Sequence, residues 1–534
     1  MAIQKKIWHQ GDLQESPFIS SPGRQNRRFE LVSAGSVYCE KVLMIDEAQI
    51  AVRNVGLLIA QRGVFALGSF LFAILVPRMM GPGTYGRYAL LLSLSTWFIL
   101  LRDPGLNQIM GRFIPQFRFQ GDLEGLRKLF NNLLAVSLVC GVLAASLYLL
   151  LTALWLTDLD LLLLATMAST VIVRACSHPF FSLCLGLNQA ARWGMNDIIN
   201  RWASLAFLLS GFYLAGLQGA CLGLLMAELI ALSIGVWWGR SHFSWSEMRL
   251  DISYLMPYLR FGLIFYVSHL MAAASYHSGA VLIRFFYNDY VQVGYFGLAF
   301  SVFLTAAIAI PQFTLAFAPF MTTLLGQGKT EELRQWTEHL IKWLAAAGVL
   351  VVFGVLLLGN DMIPLILGAT YRPVATNLLP LSLTLFPFAL NSVATLLTLL
   401  YNRPKVALAA AGIRLAAFWV LGFPFVAWWG SFGGCLAVLG ASSLSAAYST
   451  RRMQESMSYS LQRWLLAIGL GGLFLPLVWL RSSWMVNLAL YGLFIFGYII
   501  FLFFLRVITI REVRALWQAM GPRHRISDLK LQGE

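Results

Sequence analysis

The chain has 534 residues, 58% hydrophobic and only 12% charged, with a mean hydropathy of +0.71. Soluble domains carry about 25% charged residues, so a soluble enzyme is excluded; runs of about twenty apolar residues, in place of short alternating segments, exclude a β-barrel. The formal charge of +15 is what a multi-span protein accumulates by holding Lys and Arg in its cytoplasmic loops, and it calls for no nucleic-acid partner.

Residues 1–50 read as a disordered cytoplasmic tail, without a cleavable signal peptide and with Met44 as an alternative start. The first apolar segments form a hairpin. Val55 to Val76 is long enough to cross a bilayer, which takes about 20 residues. Gly81, Pro82 and Gly83 break the chain in a tight turn, and Tyr85 opens a second crossing that ends near Leu101. The same pattern recurs to residue 505 and predicts an all-α polytopic membrane protein of about fourteen transmembrane helices. With the N-terminus inside, the Lys- and Arg-rich stretches all fall on the cytoplasmic side; the outer loops hold only Arg78, Arg87, Arg372 and Arg481. Both termini are then cytoplasmic. Five of the six cysteines lie in apolar segments with no metal-ligand or redox spacing, and read as core residues.

An internal repeat is visible. Asn188, Gly216, Gly219, Cys221 and Leu222 recur, 214 positions on, as Asn402, Gly430, Gly433, Cys435 and Leu436. The equivalent spans are an even number apart, so the two halves share one orientation, as in parallel repeats related by an axis along the membrane normal. The expected organisation is a tail (1–50), an N-lobe of helices 1–6 (51–240), a cytoplasmic linker (241–256), a C-lobe of helices 7–12 (257–455), two extra helices (456–505) and a basic cytoplasmic tail (506–534).

The stretches RMMGPGTYGRYALLLSLS and RDPGLNQIMGR in the first half, and QVGYFGLAFSVFLTAAIAIPQFTLAFAPF and ILGATYRPVATNLL in the second, resemble polysaccharide flippases of the O-antigen (Wzx) type. These belong to the MOP superfamily, with the MATE exporters and the lipid II flippase. The resemblance implies two six-helix lobes, alternating access, and a central cavity in a bacterial inner-membrane protein that takes a polyprenyl-pyrophosphate-linked oligosaccharide. It implies membrane lipids as surroundings and leaves room for other polysaccharide-assembly proteins. Many relatives carry an acidic residue in the seventh span. Here that stretch reads SYHSGAVLIRFF, with His277, Ser278 and Gly279 and no carboxylate.

Charges inside the spans point to the site. Arg174 sits near the middle of the fourth span, about 20 Å from either edge, too deep for easy snorkelling. Arg62, Arg414, Arg284 and Arg102 are the further candidates for a cationic cavity, since a guanidinium grips phosphate oxygens in pairs. Glu228 is the carboxylate clearly at depth, and reads either as the partner of an arginine or as a coupling-ion carrier. Trp202 and Tyr276 are aromatic candidates for stacking on sugar. There is no P-loop, HExxH or GxSxG motif, so an enzyme or ATP-driven pump is not expected, and no cofactor or metal is implied. The competing readings are a cation-coupled MATE-like exporter, which would want more acidic residues in its spans, a polymerase or ligase, which would want a large outer loop, and a scaffold within an export complex.

Overall fold

The structure, a computed structural model, describes residues 29–102, 105–187, 189–244, 248, 250–505 and 507–509. The chain divides into two compact units, Met1–Gly56 and Leu57–Glu534, and the second carries the candidate membrane spans. Helix α1 (Phe29–Leu101) already begins inside the stretch expected to be a tail. It is followed by α2 (Leu106–Gln120), α3 (Leu123–Trp155), α4 (Leu161–Gly186), α5 (Ala190–Gly239), α6 (Ile252–Phe286), α7 (Tyr290–Ala307), α8 (Ala309–Ala316), α9 (Ala318–Gly326), α10 (Thr330–Leu367), α11 (Arg372–Leu383), α12 (Leu385–Leu400), α13 (Pro404–Gln454), α14 (Gln462–Gly472) and α15 (Trp484–Phe504). Among the described residues there is no strand. Residues 510–534 of the C-terminal tail, like Asp103, Pro104 and Asn188, lie outside the described residues.

Among the described residues, ten helices can cross a membrane by length and composition, or eleven with the bent α6. The difference from the fourteen crossings expected has a physical source. α5 and α13 are each counted once, yet each folds back on itself at a glycine. Gly216 (φ 59°, ψ −142°) and Gly430 (φ 55°, ψ −128°) occupy a backbone region closed to most side chains. The arms then pack antiparallel. A Cβ on Gly219 would collide with the Gly211 carbonyl, and one on Gly433 with the Phe425 carbonyl. Both pairs are 214 positions apart, so the repeat read from the sequence is a repeated hairpin whose glycines serve the same two purposes in each half. α1 carries a similar break at Gly81 (φ 70°, ψ 164°).

The two halves meet closely at the side expected to face outwards. Gly86 of α1 lies against the Tyr290 carbonyl and the Gly294 amide of α7, so that any Cβ there would overlap main chain. Tyr371 Oη donates to the Pro77 carbonyl at 2.6 Å, and Arg78 Nη1 to the Ile366 carbonyl at 3.2 Å. On the opposite side, the segment joining the halves is tied to the first of them. Asn132 Oδ1 accepts the Asp251 amide at 2.9 Å, and Asn131 Oδ1 the Ser244 amide at 3.4 Å. α6 then bends by 53° between Ile252–Leu263 and Tyr266–Phe286. Of four apolar clusters among the described residues, the largest draws on both halves, including Tyr88, Phe296 and Val426, each 2% exposed or less.

The Gly86 contact is testable. Overpacking a tight site costs about 1–3 kcal/mol, so Gly86→Ala is expected to lower the Tm of the detergent-solubilised protein by several degrees. Gly63→Ala, where the added methyl meets nothing within 4 Å, is expected to leave the Tm unchanged or slightly raised. Equal Tm values for the two variants would show that the helices do not approach this closely.

Candidate functional site

α4 carries a proline in its interior. Pro179 has no N–H to give the Ala175 carbonyl. Ser137 Oγ donates there instead, at 2.8 Å. One residue earlier, Arg102 Nη1 donates to the main-chain carbonyl of Arg174 at 2.6 Å. Arg102 is 3% exposed; its charge braces the loosened turn of α4 from the end of α1. This fixes the backbone from which Arg174 projects.

Beside that turn lies a cavity of about 310 Å³, between α1, α4 and α5. From α4 it is lined by Arg174, Ser177, His178 and Phe181, and from the second arm of α5 by Glu228. Arg174 Nε stands 3.5 Å from Glu228 Oε1, with the arginine side chain 44% exposed and the glutamate only 9%. An ion pair this open on one side contributes about 1 kcal/mol at most, so it neutralises the buried carboxylate without locking the guanidinium in place.

The first arm of α5 supplies the remaining polar wall: Trp193, Asn196, Asp197, Asn200 and Arg201. The spacing is i, i+3, i+4, i+7, i+8, a single helical face. The sequence reading missed this stripe. The cationic candidates read from the sequence did not include Arg201, and no residue of the stripe was among them. Arg201 is held by two rings, with its guanidinium carbon 5.1 Å from the centroid of Phe65 and 5.3 Å from that of Phe72. Such stacking offsets part of the cost of a cation at depth. The lining thus carries two guanidiniums and two carboxylates.

The other sequence candidates lie elsewhere. Arg414 Nη1 donates to Tyr276 Oη at 2.7 Å, in the second half, with Tyr276 beside Phe300 and Phe388. Arg284 is at the end of the bundle where the halves meet. Its Nη2 lies 3.2 Å from Asp158 Oδ1, while Tyr290 Oη donates to Asp158 Oδ2 at 2.7 Å. The guanidinium carbon sits 4.2 Å from the Tyr290 ring centroid, so this cluster joins the two halves and is no part of the cavity. The side chain of Arg62 lies outside the described residues. Trp202 packs on Gly68 and does not line the cavity; the indole that does is Trp193. A second cavity of about 570 Å³, mostly apolar with Arg451 and Gln454 at its rim, lies among α12, α13 and α14.

A family model described as "Polysaccharide biosynthesis protein" matches residues 51–325, just over half of the chain. The chain belongs to that family. No curated protein matches it. Among solved structures, it is similar to an inward-facing multidrug resistance MATE family transporter of the MOP superfamily, with a TM-score of 0.64 at 14% identity over 75% of this chain and 98% of that one. It is similar to the lipid II flippase MurJ in an inward closed conformation, with a TM-score of 0.60 at 14% identity over 84% and 98%. A eukaryotic MATE transporter, AtDTX14, aligns with a TM-score of 0.51 at 16% identity over 76% and 99%. At these identities the likeness establishes the fold. This polysaccharide biosynthesis family member is a multi-pass helical membrane protein with the architecture shared by MATE transporters and MurJ.

The Arg174–Glu228 pair makes a direct prediction. Glu228→Gln frees the guanidinium and leaves the cavity with one excess positive charge. Binding of inorganic pyrophosphate to the full-length protein in lipid nanodiscs, followed by calorimetry, is expected to strengthen several-fold, the equivalent of about 1 kcal/mol. An unchanged or weaker affinity would mean that Glu228 does not compete for Arg174.

Proposed function

We propose that the protein is an alternating-access transporter that carries a polyprenyl-pyrophosphate-linked oligosaccharide from the inner to the outer leaflet of a bacterial plasma membrane. The observation that carries this reading is Arg174 at mid-depth in α4, lining a polar cavity and only loosely held by Glu228. Family membership supports it, since polysaccharide assembly requires lipid-linked sugars outside the cell. The barrier to be lowered is large. A bare charge costs tens of kcal/mol in hydrocarbon, and each unpaired hydroxyl roughly 4–8 kcal/mol on the water-to-cyclohexane scale. A polar pocket at this depth replaces water for the head group while the polyprenyl chain stays in lipid. A diphosphate outcompetes a single carboxylate for Arg174 because it brings more charge and more acceptor oxygens. On this reading both termini are cytoplasmic.

A second reading draws on Asp197 and Glu228, two carboxylates lining one cavity in a fold shared with MATE transporters. It makes the protein a cation-coupled exporter of small molecules. The cellular phenotype separates the two. A deletion strain is expected to accumulate polyprenyl-linked glycan facing the cytoplasm and to lose the surface polysaccharide. Arg174→Ala is expected to reproduce that loss at least tenfold with the protein inserted at normal levels, as read by glycan export and membrane immunoblot. Accumulation on the outer face would point to a polymerase or ligase. Wild-type export from Arg174→Ala would remove that residue from the transport site.

A further inference from the structure

We infer that the α5 stripe Trp193, Asn196, Asp197, Asn200 and Arg201 is a sugar-binding strip for the glycan end of the transported lipid; this rests on the transport reading above. The five side chains share one face of the helix and all line the cavity. At 1.5 Å per residue the stripe runs about 12 Å along α5, and a cavity of about 310 Å³ is at the lower end of small-molecule sites. Both dimensions suit roughly one or two sugar rings.

The chemistry of the strip is that of hydroxyl recognition. Each Asn amide both donates and accepts, the Asp carboxylate accepts, the Arg guanidinium donates, and an indole offers a flat face to the C–H side of a pyranose ring. Two groups are poised for a guest. Asn196 is only 8% exposed, and its Oδ1 has no hydrogen-bond partner. Buried acceptors are satisfied in the great majority of cases, and a sugar hydroxyl is a donor that would satisfy this one. Arg201 Nε is likewise buried without an acceptor, while Phe65 and Phe72 fix its guanidinium. The equal number of guanidiniums and carboxylates in the lining argues in the same direction. Such a cavity holds an uncharged, hydroxyl-rich group next to a diphosphate better than it holds two anions. Arg174, on the facing helix, is then left to the diphosphate.

The test uses calorimetry on the full-length protein in nanodiscs with two probes: inorganic pyrophosphate, and the oligosaccharide freed by mild acid from the polyprenyl-linked pool of a deletion strain. Trp193→Ala and the double variant Asn196→Ala/Asn200→Ala are expected to lose oligosaccharide affinity at least tenfold while binding pyrophosphate within twofold of wild type. That second measurement also certifies their fold. Arg174→Ala is expected to show the reverse. Wild-type protein that binds pyrophosphate but not the oligosaccharide, or strip variants that bind the oligosaccharide normally, would overturn the inference and leave the transport reading standing. A deletion strain with no such lipid-linked pool would instead overturn the transport reading itself.

Discussion

A guanidinium far from water must be given partners, and the structure is arranged around how each deep arginine finds them. Arg174 has Glu228 at 3.5 Å, Arg102 has a main-chain carbonyl, Arg201 has two aromatic faces, and Arg414 has a tyrosine hydroxyl. These solutions differ in how much they leave available. Arg102 is spent on a main-chain carbonyl of α4. Arg174 and Arg201 line a cavity. The cost of charge at depth therefore sorts these arginines into a structural brace and cavity-lining residues, a distinction that position along a span does not reveal.

The same economy governs the backbone. In the membrane, main-chain polar groups must be satisfied internally, so reversing a helix there needs a compact break. α5 and α13 make it at Gly216 and Gly430, with the arms then closing through Gly219 and Gly433. The repeat was readable as four of these glycines because a positive φ and a close helix approach both exclude a side chain. The number of crossings was less readable from helix lengths, because a hairpin with so short a break is continuous by hydrogen bonding.

Legibility in the site follows from where the partners come from. The Arg174–Glu228 association could be anticipated, as both residues announce themselves by being charged in apolar surroundings. The role of Arg102 could not, because its acceptor is a backbone carbonyl 72 residues away, one residue before the carbonyl that Pro179 deprives of its helix partner, and invisible to any spacing rule. Arg284 belongs to an ion pair with a loop aspartate of the other half, again a matter of tertiary placement. The α5 stripe was present in the sequence as a regular helical periodicity. It drew no notice because a polar face at one end of a membrane helix lowers the hydropathy by which spans are delimited.

These placements also divide the molecule by side. The ties between the halves gather at one end of the bundle: Gly86 on Tyr290 and Gly294, Tyr371 on Pro77, Arg78 on Ile366, and Arg284 with Tyr290 on Asp158. All lie at connections that chain topology puts on one face of the membrane. The cavity lies in the first half, from Arg174 of α4 to Trp193, four residues into α5 from the opposite end. On the transport reading, a molecule fastened at one end with its cavity towards the other is arranged to take cargo from the cavity's side. The polar ties are single hydrogen bonds and one ion pair, and they sit beside buried apolar residues of both halves, among them Tyr85, Tyr88, Val293, Phe296 and Tyr371. Apolar burial, which has no direction, supplies most of the hold there; the directional ties and the glycine crossing fix the register in which the halves meet.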